Sequence, residues 1–147
     1  MSKTTAYYHI VFCTNAREMT IPLEHCEHLY RFLWKEIREL NCTLLRIGGI
    51  QNHVHMLVNL NAMVPLAKLV QNCKTRSSVW LKNDERFPHF NGWSEGYFAC
   101  TLAPDQRHAV IEYIKGQVAH HLGNPVDGEI ENLYRHALLD YDDRDMR

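Results

Sequence analysis

Cys42-Thr43-Leu44-Leu45-Arg46-Ile47-Gly48-Gly49-Ile50-Gln51-Asn52-His53-Val54-His55-Met56-Leu57-Val58-Asn59-Leu60 is the stretch that decides the fold of this 147-residue chain. Two apolar, β-rich runs, Cys42 to Ile50 and His53 to Leu60, flank the pair Gln51-Asn52, which is the pattern of a tight antiparallel hairpin. In the second run, alternation puts Val54, Met56, Val58 and Leu60 on one strand face and His53 and His55 together on the other. The first face is built for a core, and the second carries two imidazoles one pleat repeat apart.

Upstream, Ala6 to Thr14 is aromatic and β-branched and reads as a first strand. Pro22 then opens a helix to about Leu40, in which Leu29, Phe32, Leu33, Ile37 and Leu40 recur at helical spacing between charged residues. Downstream, Pro65 opens a second helix to about Leu81, and a fourth strand is predicted around Gly96 to Leu102. Pro104-Asp105 starts a further helix to Leu122, stopped by Gly123-Asn124-Pro125. One short helix, Glu131 to Leu139, is predicted in the tail. The order β-α-β-β-α-β followed by α predicts an α+β fold: a ferredoxin-like split βαββαβ antiparallel sheet, with helices on one face and an additional C-terminal helix. The other sheet face is expected to lie open. Residues 1–125 read as one domain and 126–147 as a tail belonging to it.

Composition narrows the class without deciding it. Apolar residues are 46% and charged residues 22%, as in an ordinary globular domain. Uncharged runs are too short for a membrane span, and the N-terminus resembles neither a signal nor a transit peptide, so the cytoplasm is the expected compartment. Five dispersed cysteines without a CxxC pair suggest neither a disulfide framework nor a zinc ribbon, and they are expected to be reduced and buried. The net charge of −1 offers no global argument for nucleic-acid binding, but no acid occurs between Glu39 and Asp84. Arg46, Lys68, Lys74, Arg76 and Lys82 fall in that stretch and are the candidate contacts to an anionic partner; an ordinary solvated helix face would read the same way.

Two constellations carry chemistry. The His53/His55 pair can chelate one divalent metal or hold a phosphate, although a bare pair also reads as two surface histidines. In the last helix, Tyr113, Gln117 and His120 share a flank beside the apolar stripe Val110, Ile111, Ile114, Val118 and Leu122. Near a metal, the phenol could attack a phosphodiester and the Gln117 carbonyl oxygen could complete the coordination. Judged alone, Tyr113 also reads as a boundary tyrosine with its hydroxyl in water.

Taken together with their flanks, these residues resemble the IS200/IS605-type tyrosine transposases of the HUH nuclease superfamily. The resemblance rests on Tyr7-Tyr8-His9-Ile10-Val11-Phe12, Asn52-His53-Val54-His55-Met56-Leu57-Val58, Trp93-Ser94-Glu95-Gly96-Tyr97-Phe98 and the Tyr113-Ile114-x-x-Gln117-x-x-His120-His121 helix. It implies a single-stranded DNA strand transferase in which His53, His55 and Gln117 hold Mg²⁺ or Mn²⁺ and Tyr113 forms a 5′-phosphotyrosine. It also implies hairpin-forming transposon ends as substrate and a homodimer in which the Tyr113 helix of one subunit can complete the His53/His55 site of the other. The short connection from Leu102 to Asp105 would enforce such sharing if it were too short to reach the histidines within one chain. Gly116 within the Tyr113 helix could ease helix movement or permit close packing. The rival readings are a domesticated relative that only nicks DNA, a metal-dependent hydrolase using water, and a non-catalytic ferredoxin-like nucleic-acid-binding module stacking bases on Tyr8 and Phe98. A histidine-triad hydrolase is disfavoured, because Leu57 stands where a third alternate histidine would be.

Overall fold

Alternation along the two central strands divides the molecule into layers. The computed structural model describes residues 2–121, 126–142 and 144–147. Strands β1 (Tyr7–Cys13), β2 (Thr43–Ile50), β3 (His53–Asn59) and β4 (Phe98–Leu102) form one sheet in the order β2-β3-β1-β4, with every neighbouring pair antiparallel. This is the ferredoxin-like arrangement. The β2–β3 register brings Ile50 opposite His53, so Gln51-Asn52 is the two-residue turn that the sequence predicts.

On one face, Ile10, Phe12, Val54, Met56 and Val58 meet helices α1 (Cys26–Glu39) and α2 (Leu66–Lys82). Leu29, Leu33 and Ile37, four residues apart on α1, are fully buried, and each contributes about 1.5–3 kcal/mol of transfer free energy. Helix α1 ends where Asn41 takes a left-handed φ of 58°, a conformation that asparagine tolerates better than most residues, and the Cys42 N–H returns to the Ile37 carbonyl. Phe12 packs edge-on to Trp93, whose indole N–H donates to Ser77 Oγ at 3.0 Å.

The second face is not open. Helices α3 (Arg107–Lys115), α4 (Gln117–His121) and α5 (Val126–His136) supply its cover. Ile114 packs with Tyr7 and Leu57, while Ile130 and Tyr134 pack with Val11, Cys13, Phe98 and Met146. Phe98 is therefore buried and Tyr8 packs against the α1/α2 core, so neither forms part of an exposed base-stacking platform. The tail is tied back: the Arg17 guanidinium donates to the Met146 carbonyl at 3.3 Å and Met146 is buried.

The last helices differ from expectation in three ways. The single helix predicted to Leu122 breaks at Gly116, whose N–H bonds the Glu112 and Tyr113 carbonyls as α3 ends. A Cβ there would meet only ordinary contacts, so Gly116 marks a helix end and not a close approach. The tail helix begins at Val126, five residues before the expected Glu131, and ends at His136. The stop at 123–125 and Leu122 lie outside the described residues. Three cysteines are buried, but Cys26 and Cys100 are half-buried, and none of the five is in a disulfide. Among the described residues no helix is long and apolar enough to cross a membrane.

Candidate active site

Positions 53 and 55 point away from the α1/α2 core, as alternation requires, yet both imidazoles are fully buried beneath α3 to α5. The reading as surface histidines fails, because a second helix layer covers them. Each ring has its Nδ1 engaged: that of His53 lies 2.9 Å from Asn52 Oδ1, and that of His55 lies 2.8 Å from His9 Nε2. Asn52 is itself fixed, donating through its amide nitrogen to the Arg17 carbonyl at 2.9 Å. Both Nε2 atoms consequently turn to the same side, as in metal-ligating histidines whose other ring nitrogen is oriented by a partner.

Helix α3 brings Tyr113 over this pair, with its ring centroid 5.5 Å from that of His55 and 6.0 Å from that of His9. Close docking depends on Gly48, opposite His55 on β2: a Cβ there would lie 2.7 Å from the Ile114 carbonyl oxygen. One residue beyond the break, Gln117 is buried and its Oε1 lies 3.0 Å from His53 Nε2. Tyr113, Gln117, His53 and His55 thus meet within one chain. The connection after Leu102 is long enough for this, since it leads into α3 directly below the sheet, and the distance argument for a site shared between subunits fails. Nothing is described of the His120 side chain.

The residue that sequence reasoning missed is Glu129. From α5 it places Oε2 3.3 Å from His53 Nε2 and Oε1 3.2 Å from His55 Nε2. It also accepts from the Tyr113 hydroxyl, and from the Gln117 amide nitrogen at 3.1 Å. Burial alone would push this carboxyl up, but hydrogen bonds from His53 and His55 outweigh it and hold the group well below the usual carboxylate range. The Tyr113 phenol moves the other way, raised by burial and by the Glu129 carboxylate it donates to. Burial and the neighbouring His55 lower His9 to about 3, so that it is neutral and serves His55 as a hydrogen-bond partner without adding charge.

The donor set fits a divalent cation. One ligand atom each from His53, His55 and Glu129 lie within 4.8 Å of one another, all buried, and Gln117 Oε1 adds a fourth lone pair beside His53. Two imidazole nitrogens, a carboxylate and an amide oxygen converging in a buried space call for a positive charge between them, and such mixed nitrogen and oxygen donors suit a divalent ion.

The basic residues stand elsewhere. Lys68, Lys74, Arg76 and Lys82 lie on α2, in the layer beyond the opposite sheet face. Lys74 donates to the Ser94 and Gly96 carbonyls at 2.7 and 2.8 Å, and Arg76 pairs with the buried Glu36 at 2.8 Å. Lys74 is thus engaged by a loop backbone and Arg76 by a carboxylate of α1. Only Arg46, exposed on β2, lies on a strand that α3 and α4 also contact.

Comparison with known proteins agrees with this arrangement. Solved structures share the fold, among them two transposases. A candidate transposase from Deinococcus radiodurans R1 matches at 21% identity with a TM-score of 0.59, covering 79% of this chain and 93% of that one. A REP-associated tyrosine transposase bound to a REP hairpin matches at 15% identity with a TM-score of 0.59, covering 82% and 74%. No curated protein matches. Residues 2–117, which run from before β1 to the glutamine beside His53 and take in every expected site residue, match the family described as "Transposase IS200 like". Glu129 lies beyond that match. With this fold, and with that match over most of its length, the chain belongs to the IS200-like transposase family.

Proposed function

We propose that this protein cleaves and rejoins single-stranded DNA by transesterification, with Tyr113 as nucleophile and a divalent metal held by His53, His55, Glu129 and the Gln117 side-chain oxygen. The observation that carries the reading is the convergence in one chain of the phenol of Tyr113 and the four donors, with Gln117 Oε1 3.0 Å from His53 Nε2. Bound there, Mg²⁺ or Mn²⁺ would polarise a non-bridging phosphate oxygen and favour the phenolate.

The chain's own residues do the rest. Asn52 and His9 set the ring orientations of His53 and His55. Glu129 fixes the direction of the Tyr113 hydroxyl. In the chemical step, the bond from Tyr113 Oη to phosphorus forms as the bond from phosphorus to the 3′ oxygen breaks. The phenolic proton is replaced by phosphorus, and the departing oxygen gains a proton to become a free 3′-OH. One phosphodiester is exchanged for another, so the 5′-phosphotyrosine stores the bond until a 3′-OH reverses the step, and no nucleotide triphosphate is needed.

Hairpin-forming transposon ends are the proposed substrates, in keeping with the hairpin in the REP-associated relative. In a homodimer of this protein, each chain would carry a self-contained site. Incubation with single-stranded DNA and Mn²⁺ should yield a covalent protein–DNA band that chelation abolishes. A chain that binds Mn²⁺ yet gives no band on cognate ends would overturn the reading.

A further inference from the structure

Along β2, the edge strand of the sheet, a groove of about 520 Å³ opens between α1 and the end of α3, a volume in the range that holds a molecule of nucleotide size. Gln117 stands in its wall, and the same amide bonds His53 and Glu129. The groove therefore adjoins the buried cluster through one side chain. Its lining combines an aromatic surface with positive charge: Tyr30 and Trp34 from α1, Arg31 beside them, Arg46 from β2 and Lys115 from α3, against the single acid Glu27. Trp34 is 44% exposed, an unusual exposure for so large an apolar side chain, and the Arg38 guanidinium lies 4.3 Å from its ring centroid.

Resting on the reading of single-stranded DNA as substrate, we propose that this groove holds the nucleotides next to the scissile phosphate, with a base stacked at Trp34 and the backbone phosphates met by Arg46 and Arg31. A stacking ring, flexible cations and an exposed strand edge form the surface that takes up a single strand without reading its sequence. Position supports the assignment as well as charge, because a strand lying in the groove reaches the His53/His55 cluster past Gln117, whereas none of the α2 cations Lys68, Lys74, Arg76 and Lys82 lines the groove.

The test is binding of a fluorescein-labelled dT15 to the full-length chain at several salt concentrations, with Mn²⁺ titrated on the same samples. The wild type binds dT15. Trp34→Ala weakens binding at least about fivefold, while Trp34→Phe, which keeps an aromatic face, recovers most of it. Arg46→Gln shallows the slope of log affinity against log salt by about 0.7, the loss of one phosphate contact. Trp80→Phe, on α2 and outside the groove lining, changes neither. Unaltered Mn²⁺ affinity in the Trp34 and Arg46 variants assigns the loss to the groove. Absence of dT15 binding by the wild type, wild-type affinity in Trp34→Ala and Arg46→Gln, or a Trp34→Phe variant no better than Ala overturns the proposal. The catalytic reading is judged separately, by the covalent band at saturating cognate DNA, which a failed groove leaves intact.

Discussion

The two faces of β3 are equally buried and chemically opposite. Val54, Met56 and Val58 face α1 and α2 at no more than 1% exposure, and His53 and His55 face α3 to α5 at 0%. Burial therefore does not distinguish core from site in this protein. The difference lies in how each face offsets loss of water. The hydrocarbon face gains from leaving it. The other buries two imidazoles, a carboxylate and an amide, each of which costs several kcal/mol unless it finds a partner, and the partners found are one another. Such a network adds little net stability, but it holds its members in fixed directions. One face should thus respond to mutation chiefly in stability and the other chiefly in ligand binding and chemistry.

The largest effect expected from breaking the apolar face is at Phe12, fully buried against Trp93. Phe12→Ala should cost about 3–5 kcal/mol in a urea unfolding curve, while Mn²⁺ affinity of the remaining folded chain stays near that of the wild type. A loss below about 1 kcal/mol would mean that the two faces do not divide their roles in this way. On the polar face, Glu129→Gln should weaken Mn²⁺ binding in calorimetry at least about tenfold with little change in the urea midpoint. Glu131→Gln, two residues on and paired at the surface with Arg135, should leave it unchanged. Equal losses at both would point to α5 docking and away from Glu129 as a ligand. The smallest effect belongs to Arg76→Gln. Its partner is an intramolecular carboxylate in the far layer, so DNA affinity and its salt dependence should stay at wild-type values, and a shallower slope would return α2 to the DNA surface.

How much of this was legible in the sequence follows from the same division. Period-two alternation in β3 and the Gln51-Asn52 turn exposed the hairpin and the histidine pair, because strand geometry is local. Tyr113 and Gln117, four residues apart, remained together although the helix breaks between them, since Gly116 ends one helix and the next begins at once. Glu129 was not legible. Its relation to His53 is set by the docking of α5 through Ile130 and Tyr134, a weak apolar pattern in a tail where the helix was expected to start only at Glu131. Nor could charge alone place the basic residues: Lys74 and Arg76 lie in an acid-free stretch of sequence, but in space they face a loop backbone and Glu36.

The central claim is that Tyr113 is the nucleophile of a site complete within one chain. The most direct test compares wild type and Tyr113→Phe with cognate single-stranded ends and Mn²⁺, with peptide mapping of any protein–DNA adduct by mass spectrometry. The account predicts one modified peptide, carrying Tyr113 joined to a 5′ phosphate, and no adduct in the variant, whose Mn²⁺ affinity and urea midpoint remain close to those of the wild type. An adduct that persists in Tyr113→Phe, or that maps to Tyr8, Tyr97 or Tyr134, would contradict it.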